Sequence, residues 1–409
     1  MGITVATWCC LVGPPQASAQ PGPILDLHRG PLQTSSRVTG MGGAYTSVAE
    51  GVDGYYRNPA SIANRSYDQT TWFHPSLSLD LMLTPIGNVD YDNDGVVVGD
   101  SSELRSYLAG LRLAFGGLAL GPVFLARTQT VSVDNGNAVS ATDRELGASA
   151  GVSLGRGTIV FGAGAGIRTL NLKHGRAGTP IAVQMGRLAL PQEGIDYNAM
   201  FIDLGVLYRP VTHNWRLGGR FRLPSSAEPS LASVGFPSVY GVTQPAPGEV
   251  KFPWEAGIGI SYEVTSAGRA RNAPIGDWDE GVRRRVRDSR YLLFSFDLMM
   301  AGPSSDAINL ESYLAGSGPM PPGYRRSGEA LSFGLHAGVE AEMIPDRLRV
   351  RGGSYTDPDR TTGSVVGRYH LTGGADLRII DIWVFRIKIG VAADIAPRYS
   401  NVQIGAGLW

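Results

Sequence analysis

The chain has 409 residues, and its 36 Lys and Arg are balanced by 36 Asp and Glu. That neutrality gives no electrostatic reason to expect a nucleic acid or any strongly charged partner. No run of about 18 apolar residues occurs, which excludes a transmembrane helix, and 55 glycines argue against a mainly helical protein.

Ile3 to Val12 is apolar and is followed by the small residues Ala17-Ser18-Ala19. This predicts a secretory signal peptide over residues 1–19, although the stretch lacks Lys and Arg. A soluble N-terminal helix is the alternative. Cys9 and Cys10, the only cysteines, lie within it, so the processed chain would carry no disulfide and no thiol chemistry. Residues 20–68 form a separate N-terminal unit, rich in Gly, Ser and Pro and without alternation. It holds Gly40-Met41-Gly42-Gly43-Ala44, an expected short helix over Ala44 to Glu50, and a turn signal at Asn58-Pro59-Ala60.

From about residue 70 the pattern changes to a period of two, which means strands. Fourteen are predicted, over 70–86, 104–116, 117–133, 144–155, 157–173, 196–210, 213–224, 250–265, 288–302, 328–344, 347–357, 367–380, 381–395 and 398–409. In one, Trp254, Ala256, Ile258, Ile260, Tyr262 and Val264 alternate with Glu255, Gly257, Gly259, Ser261, Glu263 and Thr265. In another, Leu331 to Met343 alternates with Ser332, Gly334, His336, Gly338, Glu340 and Glu342. An apolar face opposite Gly, His and Glu, at bilayer-crossing length, predicts a wall between lipid and a polar lumen. The fold class is therefore all-β, a transmembrane antiparallel β-barrel over 69–409, because only a closed sheet pairs every backbone group in hydrocarbon.

The connections support this. Tight links at Gly116-Gly117, Gly155-Arg156-Gly157, Pro210 to Asn214, Pro345-Asp346 and Ile380-Asp381 mostly alternate with long ones at 87–103, 134–143, 174–195, 225–249, 303–327 and 358–366. Bacterial outer-membrane barrels have short periplasmic turns and long outer loops. Segment 266–287 breaks the rule, being long on the short-turn side. The chain ends on Trp409, an aromatic terminus of the kind barrel-assembly machinery reads. Outer-membrane lipid is the expected surrounding.

Several motifs carry chemistry by spacing. Gly147-Ala148-Ser149-Ala150-Gly151 fits the nucleophile-elbow pattern, but it lies inside an alternating strand rather than at a strand-to-helix turn. No enzyme is expected. Asp90, Asp92 and Asp94, in Asp90-Tyr91-Asp92-Asn93-Asp94-Gly95, resemble the opening of a calcium loop. The twelfth position is Ser101 instead of Glu, so a solvated acidic loop is the alternative to calcium. Arg283, Arg284, Arg285, Arg287 and Arg290 form a basic cluster offset by nearby acids. Arg216, Arg220 and Arg222 oppose Trp215, Leu217, Phe221 and Leu223 in parity. They are expected to face the lumen, where they would meet a substrate carboxylate or pair with luminal acids. The six histidines show no metal-ligand spacing.

Arg37-Val38-Thr39-Gly40-Met41-Gly42-Gly43-Ala44-Tyr45 and Asn58-Pro59-Ala60 resemble the N-terminal hatch of the FadL/TodX long-chain fatty acid and hydrocarbon transporters. Trp215 to Ser225, and Phe252-Pro253-Trp254-Glu255, are similar to strands of that family. The resemblance implies a fourteen-stranded barrel plugged by residues 20–68, with Gly40, Met41, Gly42, Gly43, Asn58, Pro59 and Ala60 in the hatch or gate. It implies passive uptake of a hydrophobic small molecule, most simply a long-chain fatty acid, with exit sideways through the wall. Related hatch-bearing barrels serve secretion, so a protein partner in secretion or outer-membrane protein traffic is the second expectation.

Overall fold

The computed structural model describes residues 22–28, 30–65, 72–83, 90–93, 95, 101–132, 137–176, 194–230, 235–237, 243–266, 271–272, 289–316, 325–361, 367–382 and 385–409. The expected signal peptide, Asp94, Trp383, Arg283, Arg284, Arg285 and Arg287 lie outside these residues.

Strands in chain order are β1 (Ile24–Asp26), β2 (Phe73–Leu83), β3 (Ser101–Phe115), β4 (Leu118–Ser132), β5 (Asn137–Leu154), β6 (Ile159–Arg176) and β7 (Ile195–Tyr208). Next come β8 (Trp215–Arg222), β9 (Ser225–Ala227), β10 (Gly235–Pro237), β11 (Thr243–Pro245), β12 (Glu249–Phe252), β13 (Glu255–Thr265) and β14 (Tyr291–Ala301). The last are β15 (Ala307–Asn309), β16 (Arg326–Ser327), β17 (Ser332–Ile344), β18 (Leu348–Asp357), β19 (Arg368–Ile382), β20 (Phe385–Ala396) and β21 (Tyr399–Leu408). Fourteen of them, β2–β8, β13, β14 and β17–β21, close into one antiparallel barrel, with β21 pairing back onto β2. All fourteen predicted strands are present, within a few residues at most ends.

Alternation sorts the side chains as the sequence reading expects. Along β13, Ile258, Ile260, Tyr262 and Val264 are exposed on the outside, while Ser261 and Glu263 are buried inside. β7 alternates buried and exposed almost without exception. Two boundaries differ from expectation for one reason, since proline has no N–H to give a ladder. Pro253 splits the expected strand 250–265 into β12 and β13, and β8 stops at Arg222 ahead of Pro224.

One end of the barrel carries the turns at 116–117, 155–158 and 345–347, the end of β19 and the start of β20, both ends of the barrel's chain, and the end of β13 with the start of β14. Arg156 and Asp346 take left-handed φ of 57° and 56° in two of these turns. The opposite end carries the longer connections. The expected long link 134–143 is instead only 133–136, because β4 and β5 continue as a paired ribbon. The β20–β21 turn at Pro397-Arg398 is tight although it lies at the loop end.

The loop end is closed by a small sheet ordered β16-β15-β1-β12-β9, in which β1 runs parallel to both β12 and β15. Leu25, Leu27, Val131, Val139, Leu170, Leu172, Tyr197, Val250, Phe252, Tyr313 and Leu314 form the apolar core beneath it. The short helix α2 (Leu310–Ala315) is part of that core and is capped by Asn309, whose side chain accepts from the Ser312 amide.

Candidate functional site

From β1 the chain descends through the lumen to Arg65, beside the short-turn end. Its helix, α1, spans Ser36–Gly40 rather than the expected Ala44 to Glu50. Ser35 caps it through the Val38 amide, and Gly42 and Gly43, at φ of 61° and 74°, take the backbone out of it. The stretch expected to be helical instead lends its amides to the wall: Tyr45 N and Thr46 N donate to Asp297 Oδ2 at 2.8 and 2.7 Å.

The wall is thinned to receive this segment. Gly40 lies against Gly374, where a Cβ would come within 3.2 Å of the facing Cα. A Cβ on Gly353 or Gly338 would strike the Met41 backbone, and one on Gly218 would strike Thr46. Met41 is fully buried with Val38, Tyr45, Val48 and Leu293. Asn58 fastens the next bend, donating from Nδ2 to Thr46 O at 2.8 Å and to the β7 carbonyl of Val206 at 3.0 Å, while its Oδ1 accepts from Ala60 N. Pro59 opens a 3-10 turn, and Asn58, Pro59 and Ala60 lie against Gly162 and Gly205 of β6 and β7. Gly162→Leu would put its side chain where the Pro59 carbonyl sits. Unseating this bend is expected to raise ion conductance in planar bilayers several-fold while the barrel still runs folded on gels. Overpacking of this kind costs about 1–3 kcal/mol.

Charges pin the segment. Arg37 makes a two-pronged contact with Glu340, Nε to Oε2 at 3.0 Å and Nη2 to Oε1 at 2.8 Å, and also reaches Glu50. Glu50 accepts from Arg216 at 2.8 Å and Arg271 at 2.9 Å. Asp53 pairs with Lys388 at 3.0 Å and accepts from Ser78. Arg271 and Asn272 belong to the long segment at the short-turn end, so that segment reaches back to hold Glu50. Burial alone would raise the Glu50 pKa, but Arg271, Arg216 and Arg37 outweigh it and hold the carboxyl well below its usual range. A depressed carboxylate stabilises fully above its unfolded pKa and loses that stabilisation progressively as pH falls from there through the folded one. The segment should therefore resist proteolysis equally at neutral pH and at about pH 5.5, and loosen only in stronger acid; marked loosening at the milder acidity would contradict the clamp.

The three predicted arginines all face the lumen. Arg216 is held by Glu50 and by Asn272 Oδ1 at 2.7 Å, Arg220 by Glu255 at 2.7 Å, and Arg222 by Asp203 and Glu145. Of the two roles expected for them, the geometry displays pairing with luminal acids. Ser149 is a buried wall residue donating to Gly121 O at 3.1 Å, with strand on both sides, so the elbow pattern has no structural counterpart. Asp90 and Asp92 gather with Glu311, a residue the sequence reading missed because it is far away in the chain, their oxygens within 4.8 Å of one another. These carboxylates accept from Gly95 N, Asn309 and Tyr91 N respectively.

Two luminal cavities flank the stretch from His28 to Gln33. One of about 100 Å³ touches Leu32, Tyr56, Arg57, Arg220, Glu255, Met299, His336 and Tyr355. The other, about 50 Å³, lies toward the loop end against Tyr91, Arg127, Glu311 and Arg360. On the outer surface a third space, about 810 Å³, is an apolar groove floored by Ala150, Ala163, Gly219 and Ala256 and walled by Phe161, Leu204, Phe221 and Ile258. Asn58, Pro59 and Ala60 stand directly behind it, one sheet away. Near it the β3–β4 ladder is interrupted between Leu111-Arg112 and Gly121-Pro122. Pro122 cannot donate there, and Arg112 turns inward to the Ile62 carbonyl.

Among solved structures, the fold is similar to a FadL homologue of Pseudomonas aeruginosa. Identity is 12%, the match covers 93% of this chain and 99% of that one, and the TM-score is 0.53. It is also similar to the toluene transporter TbuX of Ralstonia pickettii (16% identity, 93% and 98% covered, TM-score 0.52). The toluene transporter TodX of P. putida matches at 13% identity, 93% and 98% coverage and a TM-score of 0.50. No family model and no curated protein matches the sequence. The chain thus has the fold of the FadL/TodX-type barrels over nearly its whole length.

Proposed function

We propose that the protein is a bacterial outer-membrane channel for passive uptake of hydrophobic compounds, with residues 20–68 as its hatch and no catalytic role. The observation that carries this reading is the placement of Asn58, Pro59 and Ala60, next in the chain to the cavity-lining Tyr56 and Arg57, directly behind a lipid-facing apolar groove and near an interrupted ladder. A greasy solute held in the lumen would need only a local shift of that bend, and a parting of β3 from β4 at Pro122, to reach the hydrocarbon. Its transfer out of water supplies the drive, about 0.8 kcal/mol per buried CH₂. The fold shared with toluene transporters and a FadL homologue supports the same reading.

Long-chain fatty acids are the finer substrate class implied by the sequence resemblance. The described luminal cavities hold no extended acyl chain with the hatch in this position, so such a substrate would require the hatch to move before it binds. Vesicles containing the folded protein should take up labelled toluene faster than empty vesicles, and labelled oleate tests the fatty acid reading separately. No gain for any apolar compound would remove the channel reading. Copurification of a stable protein partner would then favour the secretion role.

A further inference from the structure

The break in the β3–β4 ladder is confined to that one seam. β2 pairs without interruption along Leu111 and Arg112, and β5 does so along Gly121 and Pro122. Parting β3 from β4 there breaks fewer backbone hydrogen bonds than parting either strand from its other neighbour. The seam is nonetheless shut. A Cβ on Gly121 would lie 1.8 Å from the Leu111 carbonyl oxygen, so the two backbones are pressed together.

The hatch touches β3 on both sides of Leu111. On one side Val52 fills the space of a Cβ on Gly110, which would lie 2.2 Å from Val52 Cγ1 and 3.3 Å from Val123. On the other, Ile62 packs with Ala114 and Ala119, which pair with each other beyond the break. Between these two contacts stands Arg112, fully buried. Its Nε donates to Ile62 O and its Nη2 to Asn64 O at 3.4 Å. Those carbonyls close the 3-10 turn Pro59–Ile62 and the residues after it, where a helical turn has no further amides of its own to offer. The bend is therefore tied to β7 at its start, through Asn58 and Val206 O, and to β3 at its end, through Arg112. In between it crosses behind β6 at Gly162 and β5 at Gly151.

Resting on the uptake reading, we infer that Arg112 is a positioning residue that makes the wall seam answer to the hatch: with the bend seated it draws β3 onto the Ile62 and Asn64 carbonyls and holds the seam shut, and when the bend shifts those acceptors leave and β3 parts from β4. A buried guanidinium that loses two acceptors needs water or other acceptors in their place. Departure of the bend and opening of the seam are then one event, so the wall does not leak while the hatch is seated.

Spin labels read the seam. Cys9 and Cys10 are the only native cysteines; with both changed to serine, labels are placed at Leu111→Cys and Phe124→Cys, on the outer faces of β3 and β4. In vesicles the labels should lie close together in the otherwise unaltered chain. Gly162→Leu, which unseats the bend, should lengthen their separation by several ångström. Arg112→Gln should lengthen it with the hatch still protected from proteases, and Gly162→Leu added to Arg112→Gln should lengthen it no further. Such non-additivity marks two residues acting through one linkage, and two unrelated structural defects would add instead. Arg112→Lys, which keeps the charge and a donor, should restore much of the short separation. Labels that stay close in Gly162→Leu, or effects of the two changes that add, would overturn the inference. If Arg112→Gln does not run as a folded barrel, Gly162→Leu alone and combined with Arg112→Lys decides the matter by the same criteria. Toluene entering vesicles of the unaltered chain while the labels contradict the linkage would leave the uptake reading standing. No entry of any apolar compound would defeat the uptake reading, and with it the exit role of the seam.

Discussion

Glu50→Ala should release the hatch, and it is the single change expected to weaken the plugged state most. The carboxylate is clamped by three guanidiniums, from α1 (Arg37), β8 (Arg216) and the long segment at the short-turn end (Arg271). Its side chain is only 14% exposed, so the three cations lose their shared counter-charge where water cannot fully replace it. Breaking one partner out of a buried ion pair costs about 3–5 kcal/mol. The cost falls on hatch docking, because Arg37 keeps Glu340 and the barrel ladders are untouched. The expected result is a barrel that still resists unfolding in detergent, with a hatch that proteases cleave and bilayer currents that rise and flicker. Arg271→Gln should move the same readouts in the same direction by less, since Glu50 keeps two partners. A hatch as protected in Glu50→Ala as in the unaltered chain would show that the wall glycines, rather than charge, hold it.

The second large effect belongs to the lipid face. Ile258 lies midway between Trp254 and Tyr262 on the outer side of β13, and is 56% exposed. Trp254 packs on Phe221 toward the loop end, and Tyr208 packs on Trp215 toward the other, so the apolar band is bounded by aromatics on both sides. Trp254 to Tyr262 spans about 26 Å of strand, or about 20 Å of height after tilt, close to the apolar band of such barrels. Ile258→Arg should cost about 2–4 kcal/mol of folding free energy in lipid, the value for a charge near the midplane. Gly257→Ser, one residue away, turns inward to the flexible Met299 and Arg220 side chains and should cost far less. Equal losses in urea unfolding from vesicles would mean that the two faces do not differ as the parity requires.

The barrel was legible in the chain because alternation is local. Each strand must put one set of residues in hydrocarbon and the other in the lumen, so Ile258, Leu335 and Val402 declare their face from two neighbours apiece. Proline adjusted the boundaries, at Pro253 and Pro224. The proposed hatch stood apart in the sequence by its composition, from Gly40 to Gly43 and Asn58 to Ala60, but its conformation did not show there. Ala44 to Glu50 reads as a short helix, yet only a single turn closes there, from Ala49 N to Tyr45 O, Ala49 itself takes a left-handed φ of 42°, and the Tyr45 and Thr46 amides are bound by Asp297, a residue some 250 positions further on. Arg216, Arg220 and Arg222 were assigned to the lumen correctly, and their acids could not be assigned with them. The cavity residue Arg57 carried no signal at all, since an arginine beside an Asn-Pro turn looks like solvated surface.

By itself, then, the sequence determined the sheet, its closure and which side of each strand meets lipid, because each follows from periodicity or from the need to pair every backbone group in hydrocarbon. Only the tertiary structure decided which charges pair. Ion pairing depends on distances of about 3–4 Å between residues that closure brings together from opposite ends of the chain, and a pattern of period two carries no information about its partner across the lumen.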